Sequence, residues 1–222
     1  ENVAVHAALV KLNEFGEVVA EEGAWALGPY EYGGKQWGWW FTYDMFHPRR
    51  GHFIDSPVEG LTVSSPTYEG ITDISGGFTY FPGEMVEFSV GSVYLGSALA
   101  GRKVSPMNIF PGATIEDPRV INMARLLQSL DDDHSDGKIK IRPIVIGCLD
   151  TAMANRGYSE VDWSDDNQVE TLITETITVC DGNVEEVYLV AVSPEEAQGN
   201  LEAGLNASGI FRKNVSKTED WG

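Results

Sequence analysis

The sequence predicts a mainly β protein: an antiparallel β-sandwich with one main helix at about residues 118–130 and a short C-terminal helix. The first observation is a series of short runs in which apolar and polar residues alternate, Phe78–Phe81 and Glu84–Val90 among them. The second is the set of turn dipeptides that separate these runs, including Pro82-Gly83 and Gly91-Ser92. A period of two with a turn every several residues is typical of an antiparallel meander.

The turns in this region have identifiable chemistry. Pro82 presets the backbone for the second position of a type II turn, and Gly83 takes the positive φ of the third position. The segment Asp73–Gly77 is predicted to form another tight turn before the next strand.

The main helix has a clear start and an apolar stripe. Asp117 suits the N-cap and Pro118 the first helical position. The apolar side chains then recur at helical spacing, at Val120, Ala124, Leu127 and Leu130, with Ile121 and Met123 beside them.

Beyond residue 141 the sequence predicts more strands and a brief helix. Arg142–Gly147 and the Thr- and Ile-rich Val169–Val179 favour strands, the latter with an alternative helical start. Asp181-Gly182-Asn183 is predicted to be the turn of a hairpin. Ser193 begins a helix with a capping box to Glu196, which Gly199 and Gly204 should end early, before a last predicted strand at Ala207–Ser216.

Three regions follow from this pattern. Residues 1–56 hold an N-terminal strand and an aromatic-rich segment, residues 57–147 the sandwich with its helix and acidic loop, and residues 148–222 a β-rich part packed on it. One continuous domain is the alternative.

The order of these motifs resembles a known module. VEGLTV, GITDISGGFTYFPGEMVEFSVGSVYLG, VSPMNIF and DPRVINMARLLQSLDDD, within about residues 57–141, resemble a module of secreted bacterial surface lipoproteins and adhesin-like proteins. The resemblance implies a transthyretin-like, or carboxypeptidase-regulatory-like, β-sandwich. It also implies a mature chain on the bacterial cell surface from which a signal peptide has been removed. Such modules are fused to many partners, so the resemblance does not define an activity.

Charge and hydropathy exclude two classes of function. The chain of 222 residues has 34 Asp and Glu against 15 Lys and Arg, a net charge of −19. This balance argues against binding to a phosphate backbone and favours an acidic extracellular surface that can bind divalent cations. No apolar run approaches the length of a membrane span.

Cys148 and Cys180 are the two cysteines of the chain. In an exported protein they are expected to form one disulfide. Two buried thiols in a cytosolic protein are the alternative.

The first residues form an apolar run without Pro or Gly from Val3 to Leu12. Both of its faces are largely apolar, with only His6 and Lys11 interrupting them, which suits a strand buried on two sides. We therefore expect this strand either to complete the sheet of another copy, giving a filament or other homo-oligomer, or to fold into its own sheet. The interface face would consist of Val3, Val5, Ala7 and Leu9.

Aromatic residues crowd the segment 25–46. Trp and Tyr stack on sugars and are enriched at protein interfaces, and they also pack between sheets. The candidate contact residues for a carbohydrate or a protein are Trp25, Trp37, Trp39 and Trp40.

The acidic loop after the main helix is the best candidate for a metal site. Carboxylates on alternate loop residues before a glycine suit Ca²⁺, which binds six to eight oxygens. A solvated acidic helix end is the alternative, although it opposes the helix dipole. The candidate ligands are Asp131, Asp133, Ser135 and Asp136.

No catalytic motif of a hydrolase, metalloprotease or nucleotide-binding enzyme is found in the sequence. The sequence therefore predicts a secreted, non-enzymatic structural protein of the bacterial cell surface, either a self-assembling filament or pilus-like subunit or an adhesin. A carbohydrate-binding module is the first alternative and an accessory domain of a secreted hydrolase the second.

Overall fold

The computed structural model describes residues 30–32, 35–37, 48–132, 137–183 and 187–210. Within them there are eleven strands and five helices; ten strands come first, and the eleventh lies between the second and third helices. The strands are β1 Tyr30–Tyr32, β2 Lys35–Trp37, β3 Arg49–Phe53, β4 Val58–Glu59, β5 Thr62–Ser64, β6 Glu69–Ile71, β7 Gly77–Tyr80, β8 Met85–Val90, β9 Val93–Leu99, β10 Lys103–Val104 and β11 Ile139–Lys140. The helices are α1 Pro106–Ile109, α2 Pro118–Ser129, α3 Pro143–Arg156, α4 Asp166–Asn183 and α5 Pro194–Ser208.

The fold is therefore mixed α/β, and the prediction of a mainly β sandwich is wrong. The strands form small open sheets, with the orders β1-β2, β10-β3-β7, β11-β4 and β6-β5-β8-β9. The predicted meander is also only partly correct, because β7 pairs with β3 in one sheet while β8 and β9 form a hairpin in another. The pairings of β10 with β3 and of β11 with β4 are parallel, which a meander does not contain.

Two of the predicted turns, at Pro82-Gly83 and at Asp73–Gly77, and both predicted helix starts are confirmed. The N–H of Glu84 donates to the carbonyl of Phe81 at 3.3 Å, and Gly83 has φ +90°, as a type II turn requires. The Asp73 carboxylate accepts from the backbone N–H groups of Ser75 and Gly77 at 2.8 and 3.0 Å, which fixes the second turn. Asp117 likewise caps α2 through the N–H of Arg119.

The predicted strand at Val169–Val179 lies inside α4. Its buried side chains follow a helical period, because residues three and four apart share one face of a helix. Burial on that face overrides the strand propensity of Thr and Ile, and the hydroxyls of Thr176 and Thr178 bond to the carbonyls four residues earlier. The buried set is Val169, Leu172, Ile173, Thr176 and Cys180.

Three other strand predictions are corrected in the same way. Arg142–Gly147 is the N-cap and first turns of α3, and Asp181-Gly182-Asn183 ends α4 instead of turning a hairpin. The second strand of that hairpin is predicted at Val184–Val192, but residues 187–192 form no strand, and residues 207 and 208 belong to α5. Residues 184–186 and 211–216 of these predicted strands lie outside the described residues.

Helix α5 has 15 residues and is not ended by Gly199 or Gly204. At Gly204 a Cβ atom would collide with the carbonyl oxygen of Asp55. The glycine therefore permits a close approach of α5 to the turn between β3 and β4, and this packing outweighs its low helix propensity.

Helix α2 contributes side chains to two apolar clusters. Its Met123, Leu126 and Leu127 pack in the cluster formed with the sheets and with α3 and α4. Its Val120 and Ala124 pack in the second cluster, which includes Leu201 and Leu205 of α5. The sheets contribute Phe53, Phe78 and Phe88, whose ring centroids lie 4.8 Å (Phe53–Phe88) and 5.3 Å (Phe78–Phe88) apart.

Candidate functional site

The outer edge of β9 is the first candidate site. Strand β9 ends the four-stranded sheet, so that within the described residues its second edge has no partner strand. Its sequence, VYLGSAL, contains no charged residue and no Pro, which are the features that usually protect an edge strand. The pairing of β9 with β8 is irregular, because Phe88 pairs with Gly96 and Ser89 pairs with Tyr94, which leaves Leu95 as an extra residue of β9, a β-bulge in the edge strand itself. The backbone of β9 on either side of this bulge can therefore pair with an added extended segment.

A pocket between α2 and α5 is the second candidate. Its volume is about 610 Å³, and it is bounded by α2, α5, the start of β11 and the segment 190–192. Polar side chains line it, among them Gln128, Asp131, Lys138, Glu196 and Asn200. Apolar side chains, Ile139, Val190 and Val192 among them, also line the pocket, so that it can contact both polar and apolar groups of a small ligand.

A buried polar network lies beside this pocket, with Gln128 at its centre. The side-chain amide of Gln128 donates to Asp55 Oδ1 at 3.0 Å and to the carbonyl of Ala197 at 3.1 Å. Its Oε1 accepts from Asn200 Nδ2 at 3.0 Å. One side chain of α2 thus connects the β3–β4 turn to α5, and its loss would remove the hydrogen bond that Asp55 Oδ1, a fully buried group, accepts.

Asp55 is the most unusual group of this network. It is fully buried, and among the described residues its Oδ2 has no hydrogen-bond partner. Burial raises the pKa of Asp55 to about 8, although the hydrogen bond from Gln128 opposes the increase. At neutral pH this carboxyl group is therefore largely protonated.

Two further polar side chains of α2 hold the surrounding loops. Arg125 Nε donates to the carbonyl of Val192 at 2.9 Å, and the guanidinium also pairs with Glu170. Burial lowers the pKa of Arg125, and the nearby carboxylates of Asp166 and Glu195 oppose that change. Asn122 donates to the carbonyl of Trp163 at 3.0 Å. Helix α2 is thus an anchor for the segments around it as well as an apolar core element.

The predicted disulfide between Cys148 and Cys180 is confirmed. Its environment differs from the prediction, because the cysteines lie in α3 and α4 rather than in strands, with their Cα atoms 5.4 Å apart. Both residues are buried in the main apolar cluster.

The predicted calcium loop is described only at its start. Asp131 is buried, and its Oδ1 accepts from the backbone N–H of Lys140 at 3.0 Å, while Asp132 pairs with Arg142. Asp133, Ser135 and Asp136 lie outside the described residues. In the described part of the chain no three His, Cys, Asp or Glu side chains form a metal-binding group. Calcium binding by this loop therefore stays a prediction.

The other predicted contact residues lie mostly outside the described residues. Trp37 is in β2, where its backbone pairs with Tyr30. The remaining residues of these two predictions, for which the structure gives no description, are Val3, Val5, Ala7, Leu9, Trp25, Trp39 and Trp40.

The polar network of α2 was not among the features predicted from the sequence. Its signal is present, because Asn122, Arg125 and Gln128 recur every three residues and so lie near one face of a helix. In a helix that is otherwise apolar, such polar residues can also face solvent. Only the packing of the surrounding segments, from the β3–β4 turn to α5, shows that all three are buried.

Comparison with known proteins gives no family. No family model, curated protein or solved structure matches this chain. Among the described residues, none of the helices is both long enough and apolar enough to cross a membrane.

Proposed function

We propose that this protein is an exported, non-enzymatic structural protein of the bacterial cell surface that assembles head to tail by strand addition. The observation that carries the proposal is the edge strand β9, which is seven residues long and uncharged. The disulfide between α3 and α4 supports export, because disulfides persist mainly in oxidising compartments.

In this proposal the apolar run Val3–Leu12 of one copy pairs with β9 of the next copy. Donor and acceptor are different surfaces of the same chain, so each added copy presents a new acceptor. Such a heterologous contact gives an open filament unless its rotation closes a ring. Backbone hydrogen bonds would supply the affinity, and the apolar face of the donor would supply the register.

Deletion of residues 1–12 tests the donor. We expect the truncated protein to stay folded, with an intact disulfide, and to sediment as a monomer at concentrations at which the full chain assembles. A synthetic peptide of residues 1–13 should then bind to the truncated protein. The proposal is wrong if the full chain sediments as a monomer under all conditions, or if truncation unfolds the chain.

Substitution in β9 tests the acceptor. Leu99 is 58% exposed in the edge strand, and Met85 is 47% exposed directly opposite it in β8, an interior strand. Leu99→Lys should reduce assembly, because a Lys beside the added strand disfavours pairing. Met85→Lys is the matched control on the same face of the sheet and should reduce assembly less. Equal effects of the two substitutions would contradict strand addition at β9.

A further inference from the structure

A groove with a volume of about 540 Å³ is lined by five residues, all of which are basic or can become cationic. Four of them are among the 15 Lys and Arg residues of a chain whose net charge is −19. The lining residues are Arg49, Arg50, His52, Arg102 and Lys103.

The sheet register explains why these side chains meet. In the three-stranded sheet, His52 pairs with Lys103 and Phe53 pairs with Val104. Phe53 and Val104 are buried, and successive residues of a strand point to opposite faces. His52 and Lys103 therefore lie side by side on the outer face of the sheet. The N–H of His52 donates to the carbonyl of Arg102 at 3.1 Å, which fixes the neighbouring loop next to them.

The groove keeps an excess of positive charge. Arg50 pairs with Asp73, and Lys103 Nζ donates to the carbonyl of Ser208 at the C-terminal end of α5. These contacts hold the side chains of Arg50 and Lys103 in place, and the carboxylate of Asp73 neutralises the positive charge of Arg50. Arg102 is exposed, and the described residues offer its side chain no ion-pair partner. Among the described residues, Arg102 and Lys103 pair with no carboxylate, which leaves a positive site on an acidic molecule.

We propose that this groove binds a compact oxyanion, namely a phosphate, sulfate or carboxylate group of a small molecule or of a surface glycan. Guanidinium groups bind such groups through paired charge-assisted hydrogen bonds. A long polyanion is disfavoured, because the net charge of −19 repels it beyond the groove. The site is separate from the edge of β9, and the proposal goes beyond the strand-addition function.

Calorimetric titration of the full chain tests the proposal. The probes are inorganic pyrophosphate, inorganic sulfate and glucuronate at about 0.01 M ionic strength, where charge interactions are weakly screened. We expect at least one probe to bind, and the preferred probe identifies the source of the oxyanion. Arg102→Gln should weaken this binding by about tenfold or more, the size expected for a lost hydrogen bond to a charged group.

Lys140→Gln is the matched control. Lys140 is exposed on β11, outside the groove, and the substitution removes the same charge. Its effect on binding should stay within about twofold, because isolated surface charges contribute little. Equal weakening by the two substitutions would show a general charge effect and overturn the proposal. Failure of all three probes to bind the wild-type chain would also overturn it.

A further measurement separates a second copy of the chain from a small oxyanion. If Arg102→Gln reduces self-association in sedimentation experiments while probe binding is unchanged, the groove contacts the acidic surface of another copy. That result would also overturn the proposal of an oxyanion site.

Discussion

At the scale of single residues, Asp55 shows how packing changes chemistry. Its carboxyl group lies between α2 and the closely packed α5, where neither water nor a cation of the described residues reaches it. One hydrogen bond from Gln128 is the contact that stabilises the charged form. Desolvation therefore dominates, and the neutral form is favoured.

This raised pKa predicts a pH-dependent stability. The folded chain keeps the proton of Asp55 up to a pH of about 8, whereas the unfolded chain releases it near pH 3.8. The stabilisation is therefore complete below pH 3.8 and is lost as the pH rises towards 8. The free energy of unfolding should fall by about 1.4 kcal/mol per pH unit in this window from Asp55 alone.

Urea unfolding between pH 4 and pH 8 measures this contribution. Asp55→Asn keeps the shape of the side chain but cannot ionise, so it should remove the corresponding part of the slope. Asp150→Asn is the control. The Asp150 carboxylate accepts a hydrogen bond from the β8–β9 turn but is only partly buried, so this substitution tests the loss of a carboxylate that is not fully buried. An unchanged slope in Asp55→Asn would show that Asp55 is ionised in the folded chain at neutral pH.

At the scale of elements, the disulfide joins helices α3 and α4. These helices lie in a region that the sequence predicted to be rich in strands. It closes a loop over a sequence separation of 32 residues, which includes the turn between α3 and α4. Replacing both cysteines with Ala should lower the free energy of unfolding by about 3 to 4 kcal/mol, because the unfolded chain gains freedom.

Chemical denaturation of the wild type and of the double variant measures the effect of the disulfide. Intact mass before and after reduction should differ by about two hydrogens, since reduction adds one to each sulfur. Titration of two free thiols in the unfolded, unreduced protein would contradict the disulfide.

The acidic loop after α2 is the second element with a testable property. If Asp131 and Asp133 bind Ca²⁺ in the folded chain only, millimolar Ca²⁺ should raise the melting temperature relative to excess chelator. Asp133→Asn should reduce this increase, and Asp165→Asn in another acidic segment is the control. Identical melting curves with Ca²⁺ and with chelator would exclude the calcium site.

At the scale of the whole molecule, the net charge of −19 opposes assembly. Raising the ionic strength from about 0.01 to about 0.1 M shortens the screening length from about 30 to about 10 Å. Strand addition depends on backbone hydrogen bonds and apolar contacts, so added salt should strengthen assembly. Sedimentation at the two ionic strengths measures this change. Weaker assembly at the higher ionic strength would instead indicate an interface between opposite charges.

Added salt should have the opposite effect on the basic groove. Oxyanion binding there depends on charge attraction, which salt screens. The two proposed surfaces can therefore be distinguished in one series of salt concentrations.

Local signals in the sequence determined several features of this protein. Pro82-Gly83, Asp117-Pro118 and the N-cap Ser193 fix turns and helix starts through neighbouring backbone groups, and the structure agrees with all three. In β8, apolar and other residues alternate in the sequence, and the apolar face is the buried one, because successive side chains of a strand point to opposite faces. The pairing of the two cysteines followed from their number and the expected compartment.

The tertiary structure alone decided the fold class and the binding surfaces. Val169–Val179 has the propensity of a strand, but burial of one helical face against α3 makes it a helix. Gly204 lies within a helix because α5 must approach Asp55 closely. The basic groove joins residues about 50 positions apart, which meet through a parallel pairing of β3 and β10. Such long-range contacts determine which side chains are buried and which charged side chains lie together. No local pattern in the sequence specifies these contacts.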